Sequence, residues 1–175
     1  EGAPFRLAGF SFGGAISSHI AARMGDRVKS LTLIGASGFG PLNHAKSLNR
    51  RSYKDAGEDQ AMLRDIVRNN LLAFMLNDVA DDHAVDCHAA NVKRTRFDSR
   101  KVSGADTQRF DLKNIQCPLQ IIWGEDDVTA RPSVAERVKI CRSVAPNLRF
   151  DMVPGAAHWT MYDSSDAIND LMLDF

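Results

Sequence analysis

The chain has 175 residues, 44% of them hydrophobic and 25% charged, and its 22 basic and 22 acidic side chains leave a formal charge of zero. That composition suits one ordinary globular domain, and the balanced charge offers neither a basic field for nucleic acid nor an acidic tail. No apolar run approaches the ~20 residues that cross a bilayer, so no membrane partner is expected, and three cysteines at unrelated spacings (Cys87, Cys117 and Cys141) suit a reducing, cytoplasmic setting.

Pro4 to Ala8 reads as a short buried strand and Gly14 to Met24 as a helix, with Gly9-Phe10-Ser11-Phe12-Gly13 and then Gly14 between them. G-x-S-x-G in a strand-turn-helix setting is a nucleophile elbow, a strained turn that lifts a serine hydroxyl out of the backbone. Glycines two residues to either side of Ser11 are expected because side chains there would meet neighbouring chain. The Phe12 N–H, at the helix N-terminus, would point at a substrate oxygen as one half of an oxyanion hole.

Asp26 to Gly35 carries Val28, Leu31, Leu33 and Ile34, a strand expected beside the first after a right-handed helical crossover. Strand signal then vanishes from Pro41 to about Phe110. Met62, Leu63, Ile66, Val67, Leu71, Phe74 and Met75 mark an amphipathic helix, and Asp82 to Arg96 reads as a second, more polar one. In the cluster Asp81, Asp82, His83, Asp86, Cys87 and His88, an i, i+4 pair of His83 and Cys87 could chelate zinc. The chain supplies no matching second pair, so a solvated helix face is preferred and no metal is expected. The run Lys93, Arg94, Arg96, Arg100 and Lys101 likewise reads as a solvated face, with Arg94 and Arg96 the candidates to reach a substrate carboxylate.

The core resumes at Ile115. Pro118 to Trp123 is an apolar strand that ends in Gly124-Glu125-Asp126-Asp127, and Pro132 to Cys141 is a helix. Leu148 to Val153 is a strand that ends in Pro154-Gly155-Ala156-Ala157-His158-Trp159, and Ile168, Leu171, Met172 and Phe175 give a closing helix. A serine is a poor nucleophile at neutral pH and needs a histidine base with a carboxylate that holds the imidazole. Both follow Ser11 here, each after a strand.

On Ala8 to Gly14, Ile122 to Pro132 and Gly155 to Trp159 the chain resembles the C-terminal part of an α/β-hydrolase superfamily enzyme. The resemblance implies an α/β fold, the C-terminal half of a mostly parallel, doubly wound sheet, with core at residues 1–40 and 113–175 and an inserted helical lid at 41–112. The family's acid loop maps onto Gly124, Asp127 and Pro132, which makes Asp127 the acid ahead of Asp126, although the proline stands one residue later than is common. Gly35 to Gly40 offers no carboxylate as an alternative. Ser11, Asp127 and His158 then form the triad, the Phe12 amide serves the oxyanion hole, and Phe10 and Trp159 join Arg94 and Arg96 as pocket candidates. His19, on the elbow helix, is expected to be structural. The family's first strands and its second oxyanion donor precede the elbow, so the chain is expected to be a fragment, silent and poorly folded on its own. The implied activity is hydrolysis of a small carbonyl substrate, an ester first, without metal or organic cofactor, and cleavage of carbon-carbon bonds in ring-fission products is the enzymatic alternative. A ligand-binding receptor with little turnover is the alternative of another class, and association into a homo-oligomer is left open.

Overall fold

Four strands pair in parallel in the order of the chain: β1 (Phe5–Phe10), β2 (Val28–Ile34), β3 (Leu119–Gly124) and β4 (Arg149–Val153). This is the arrangement in a computed structural model that describes residues 2–40 and 48–175. All of β3 and all but Lys29 of β2 are buried, which is why both read as near-continuous apolar runs: a parallel strand with helices over both faces has no water-facing side. Along β1, Phe5 and Leu7 are only half-buried. That strand also runs two residues beyond the expected Ala8, because Gly9 and Phe10, though turn-like in sequence, pair with Leu33 and Ile34.

Helix α1 (Phe12–Met24) crosses from β1 to β2. Between β2 and β3 lie α2 (Gln60–Phe74), α3 (Asp82–Arg94), α4 (Arg100–Ser103) and α5 (Gln108–Leu112). Helix α6 (Val134–Val144) joins β3 to β4, and α7 (Thr160–Asp163) and α8 (Ser165–Leu173) end the chain. Ser133 caps α6 by accepting from the Glu136 N–H at 3.2 Å, so the helix starts two residues after the expected Pro132. No helix among the described residues is long and apolar enough to cross a membrane.

Helices α2 and α3 have a core of their own, in which Ile66, Val67, Leu71, Ala84 and Val85 are fully buried. Their polar faces are laced together by Arg64 and Arg68 on Asp82, and by Arg64 on Asp86. The Arg68 hydrogen bond, with the charge of Arg64, holds the Asp82 carboxyl below its usual range. Asp81 caps α3 through the Ala84 N–H and also accepts from the Tyr162 hydroxyl, each at 2.8 Å. The acidic residues of the cluster around His83 therefore act as caps and ion pairs. Helix α3 stops at Arg94 rather than Arg96, because Thr95 turns to an extended backbone (ψ 122°).

The stretch expected in the insertion up to residue 112 ends in α5, which packs against α1 and α6. Leu112 is buried with Leu33 and Trp123, and Gln108 Nε2 donates to the Ser37 carbonyl at 3.0 Å. Asp111, buried, takes Arg23 at 3.2 Å and His19 at 3.4 Å, so His19 helps to tie α1 to α5. Periodicity could not separate this one-and-a-half-turn helix from the insertion before it.

Candidate active site

At the end of β1 the chain reverses into α1 within one residue. Ser11 takes φ 49° and ψ −116°, the only positive φ outside glycine among the described residues. Such a backbone costs on the order of 1–3 kcal/mol and persists only where neighbours hold it. Here the Ser11 N–H donates to the Ile34 carbonyl at 3.0 Å, and its carbonyl accepts from Gly14 and Ser37 N–H groups at 3.0 and 2.9 Å. The turn is thus fastened to the end of β2 and to the loop after it.

Close packing demands glycine on one side of this turn. A methyl group on Gly9 would collide with Ser17 Oγ and lie 2.6 Å from the Gly13 carbonyl, whereas one on Gly13 meets nothing within 4 Å among the described residues. The expectation that both flanking glycines avoid a collision therefore applies to Gly9 alone. Gly9→Ala should destabilise the fold by about 1–3 kcal/mol, because a backbone oxygen cannot rotate aside. Urea unfolding checks this, and a midpoint unchanged from the parent would contradict the close approach.

The loops after β3 and β4 meet at Gly124, where a Cβ would collide with the carbonyls of Ala156 and Ala157. The Asp126 N–H donates to the Ala156 carbonyl at 3.0 Å, which pins the two loops together. From them His158 and Asp127, both buried, reach the elbow. His158 Nε2 lies 2.9 Å from Ser11 Oγ, and His158 Nδ1 lies 2.9 Å from Asp127 Oδ2. Asp127 Oδ1 accepts from the Thr129 N–H at 2.8 Å and from its hydroxyl at 2.7 Å. Asp126 points elsewhere, taking the Asn77 side-chain amide at 2.9 Å. A carboxylate on Nδ1 favours the tautomer with its proton there and leaves Nε2 free to accept the serine proton. Thr129 was not singled out in the sequence; its signal is the D-x-T spacing of a turn in which a side-chain carboxylate takes the N–H two residues on.

A cavity of about 480 Å³ opens on Ser11 and His158, with Phe39, Phe74, Arg50 and Arg137 among its walls. The four pocket candidates from the sequence do not line it. Phe10 backs the histidine, ring to ring at 5.0 Å. The Trp159 ring packs on Tyr162 at 4.8 Å, and its backbone N–H donates to the Met75 carbonyl at 2.7 Å, tying the histidine loop to the end of α2. Arg94 and Arg96 are exposed at and beyond the end of α3, away from the cavity walls. The signal for Arg137 lay in α6, where it shares with Val134, Val138 and Cys141 one buried face at helical spacing. Phe12 opens α1, and its ring stacks on Phe97 at 5.7 Å. Burial pushes the Cys141 thiol up to about 12, far from a reactive thiolate. Cys87 Sγ lies 3.7 Å from His83 Nε2, and among the described residues no three metal-ligating side chains converge.

Known proteins are similar to this chain. The chain is 26% identical over 182 residues to the dihydrolipoyllysine-residue acetyltransferase component of the acetoin cleaving system of Pseudomonas putida, a match covering 97% of this chain and 44% of that protein. It is 23% identical over 175 residues to lipase 1 of Psychrobacter immobilis, covering 94% and 53%. The chain thus spans about half the length of these curated relatives. An esterase from Rhodococcus sp. ECU1013 superposes with a TM-score of 0.68 at 19% identity, covering 97% of this chain and 64% of that one. The sequence profile of the alpha/beta hydrolase fold matches residues 3–165, from the start of the elbow strand into the last helix, and the chain belongs to that family.

Proposed function

We propose that the protein is a serine hydrolase that cleaves a small carboxylic ester through Ser11, His158 and Asp127. The observation that carries this reading is the unbroken line from Ser11 Oγ through both nitrogens of His158 to Asp127, with 2.9 Å at each link, opening on the cavity. Ser11 attacks the ester carbonyl while His158 Nε2 takes its proton and returns it to the departing alcohol. Water then repeats the sequence on the acyl-enzyme, and Asp127 steadies the imidazolium throughout. The Phe12 N–H, at the positive end of α1, donates to the oxyanion. Helices α2 and α3 act as the lid, since Phe74 of α2 forms part of the cavity wall. The names of two of the similar proteins, a lipase and an esterase, belong to the same reaction class.

A fluorophosphonate probe tests the nucleophile directly. The expected result is one adduct, located on Ser11 by peptide mass spectrometry, with hydrolysis of 4-nitrophenyl esters lost in step with labelling. Full turnover in a completely labelled protein would remove Ser11 from the mechanism.

Thr129 is assigned as a positioning residue, its hydroxyl donating to Asp127 Oδ1 at 2.7 Å and lying 3.1 Å from His158 Nδ1. Thr129→Val should lower kcat about tenfold, the worth of one hydrogen bond to a charged group, while KM moves little. Thr129→Ser, which keeps the hydroxyl, should restore most of the rate; equal losses in both variants would mark the residue as packing alone.

A further inference from the structure

Arg137 is a buried cation in the wall of the cavity that holds Ser11. It is 5% exposed, its Nη1 donates to the Phe39 carbonyl at 2.9 Å, and its guanidinium lies 4.9 Å from the centre of the Phe39 ring. The carboxylates that act on it electrostatically are committed elsewhere: Asp106 pairs with Arg109 at 3.0 Å, and Asp127 serves His158 and Thr129. Among the described residues no carboxylate forms an ion pair with it. A second guanidinium, that of Arg50, lines the same cavity 4.6 Å over the Phe74 ring, also without a carboxylate among the described residues. Ser37, another lining residue, has a buried hydroxyl with no hydrogen-bond partner among the described residues.

Burying a cation is costly unless a counter-charge compensates it, and an aromatic face offsets only part of that cost. Desolvation presses the Arg137 guanidinium below its ordinary pKa, the direction expected of a cation whose partner is absent. A guanidinium has five donors in a planar fork, and one carbonyl occupies only part of it. What remains matches the geometry of a carboxylate. Charge and geometry point to the cavity that Arg137 and Arg50 line together with Ser11.

We infer that Arg137, with Arg50, forms an anion subsite that receives a carboxylate of the substrate, so that the preferred substrates are monoesters of small dicarboxylic acids or esters of comparable charge. The identity of the bond cleaved rests on the proposed ester hydrolysis; the anion subsite stands on the cavity itself.

The test compares 4-nitrophenyl hydrogen glutarate with the neutral 4-nitrophenyl pentanoate, which is similar in length. The protein should favour the acid ester about tenfold or more in kcat/KM, the worth of a charge-assisted hydrogen-bonded pair. In Arg137→Lys, which keeps a cation but loses the fork, the ratio should fall about tenfold, mainly through KM. Arg50→Gln, a change outside the sheet core, should also lower the ratio and serves if Arg137 variants fold poorly. Turnover of both esters with no preference for the acid overturns the subsite and leaves the serine mechanism intact. If neither ester is turned over, the hydrolase reading fails, and calorimetry with glutarate against glutaramide decides the subsite. Glutarate binding that weakens in Arg50→Gln supports it, and absence of glutarate binding overturns it.

Discussion

Ser11→Ala should lower the hydrolysis of short-chain aryl esters by at least ~10⁴-fold while leaving the fold in place, because loss of the nucleophile removes the covalent route altogether. Alanine deletes only the hydroxyl that meets His158 Nε2 at 2.9 Å. The backbone bonds from Ser11 to Ile34, Gly14 and Ser37 do not depend on the side chain. The strain of a positive φ also remains, since alanine has a Cβ as serine does. The measurement is kcat/KM with 4-nitrophenyl acetate and butyrate, alongside thermal unfolding of both proteins. Residual turnover near the parent rate, with an unchanged unfolding curve, would show that the hydroxyl is a turn residue whose place next to an imidazole has no chemical use.

The parts of the site legible in the sequence are those whose signal is local. An elbow announces itself because strand, strained serine and helix occupy a dozen consecutive residues, and the acid and histidine loops each follow an apolar strand closely. The buried runs Leu31 to Ile34 and Leu119 to Trp123 mark the two central strands of the sheet, for burial on both faces removes polar alternation. Cavity walls are different, because they are assembled by tertiary packing. Arg94 and Arg96 stood in a conspicuous basic run, yet both are exposed, at the end of α3 and just beyond it, while the isolated Arg137 is drawn inside by its place between Val134 and Cys141 on α6. Trp159 follows the histidine in sequence, but its ring packs on Tyr162 and its backbone N–H is held by the Met75 carbonyl, so proximity along the chain did not translate into a place on the cavity wall. The extent of α5 was likewise hidden, since Leu112 joins the buried cluster that holds Leu33 and Trp123 only across long sequence separations.

Adjacent aspartates give the sharpest discrimination of all. Asp127→Asn should reduce kcat by roughly 10⁴-fold, because an amide at this position favours the imidazole tautomer with its proton on Nε2, which cannot accept from Ser11. Asp126→Asn should change kcat less than about threefold, as the lost partner is an exposed contact to Asn77 of the kind worth little in solution. The two substitutions are chemically identical and one residue apart, so bulk charge and electrostatic steering change alike in both. What differs is geometry: Asp127 is buried with Oδ2 on His158 and Oδ1 on Thr129, whereas Asp126 looks toward Asn77 at the rim. Asp127→Asn should unfold at nearly the parent temperature, since asparagine has the same shape and its amide oxygen can still accept from Thr129. A reversed ranking of the two variants would transfer the acid role to Asp126. Equal, mild losses would mean that His158 acts without a carboxylate partner, and the proposed triad would reduce to a dyad of Ser11 and His158.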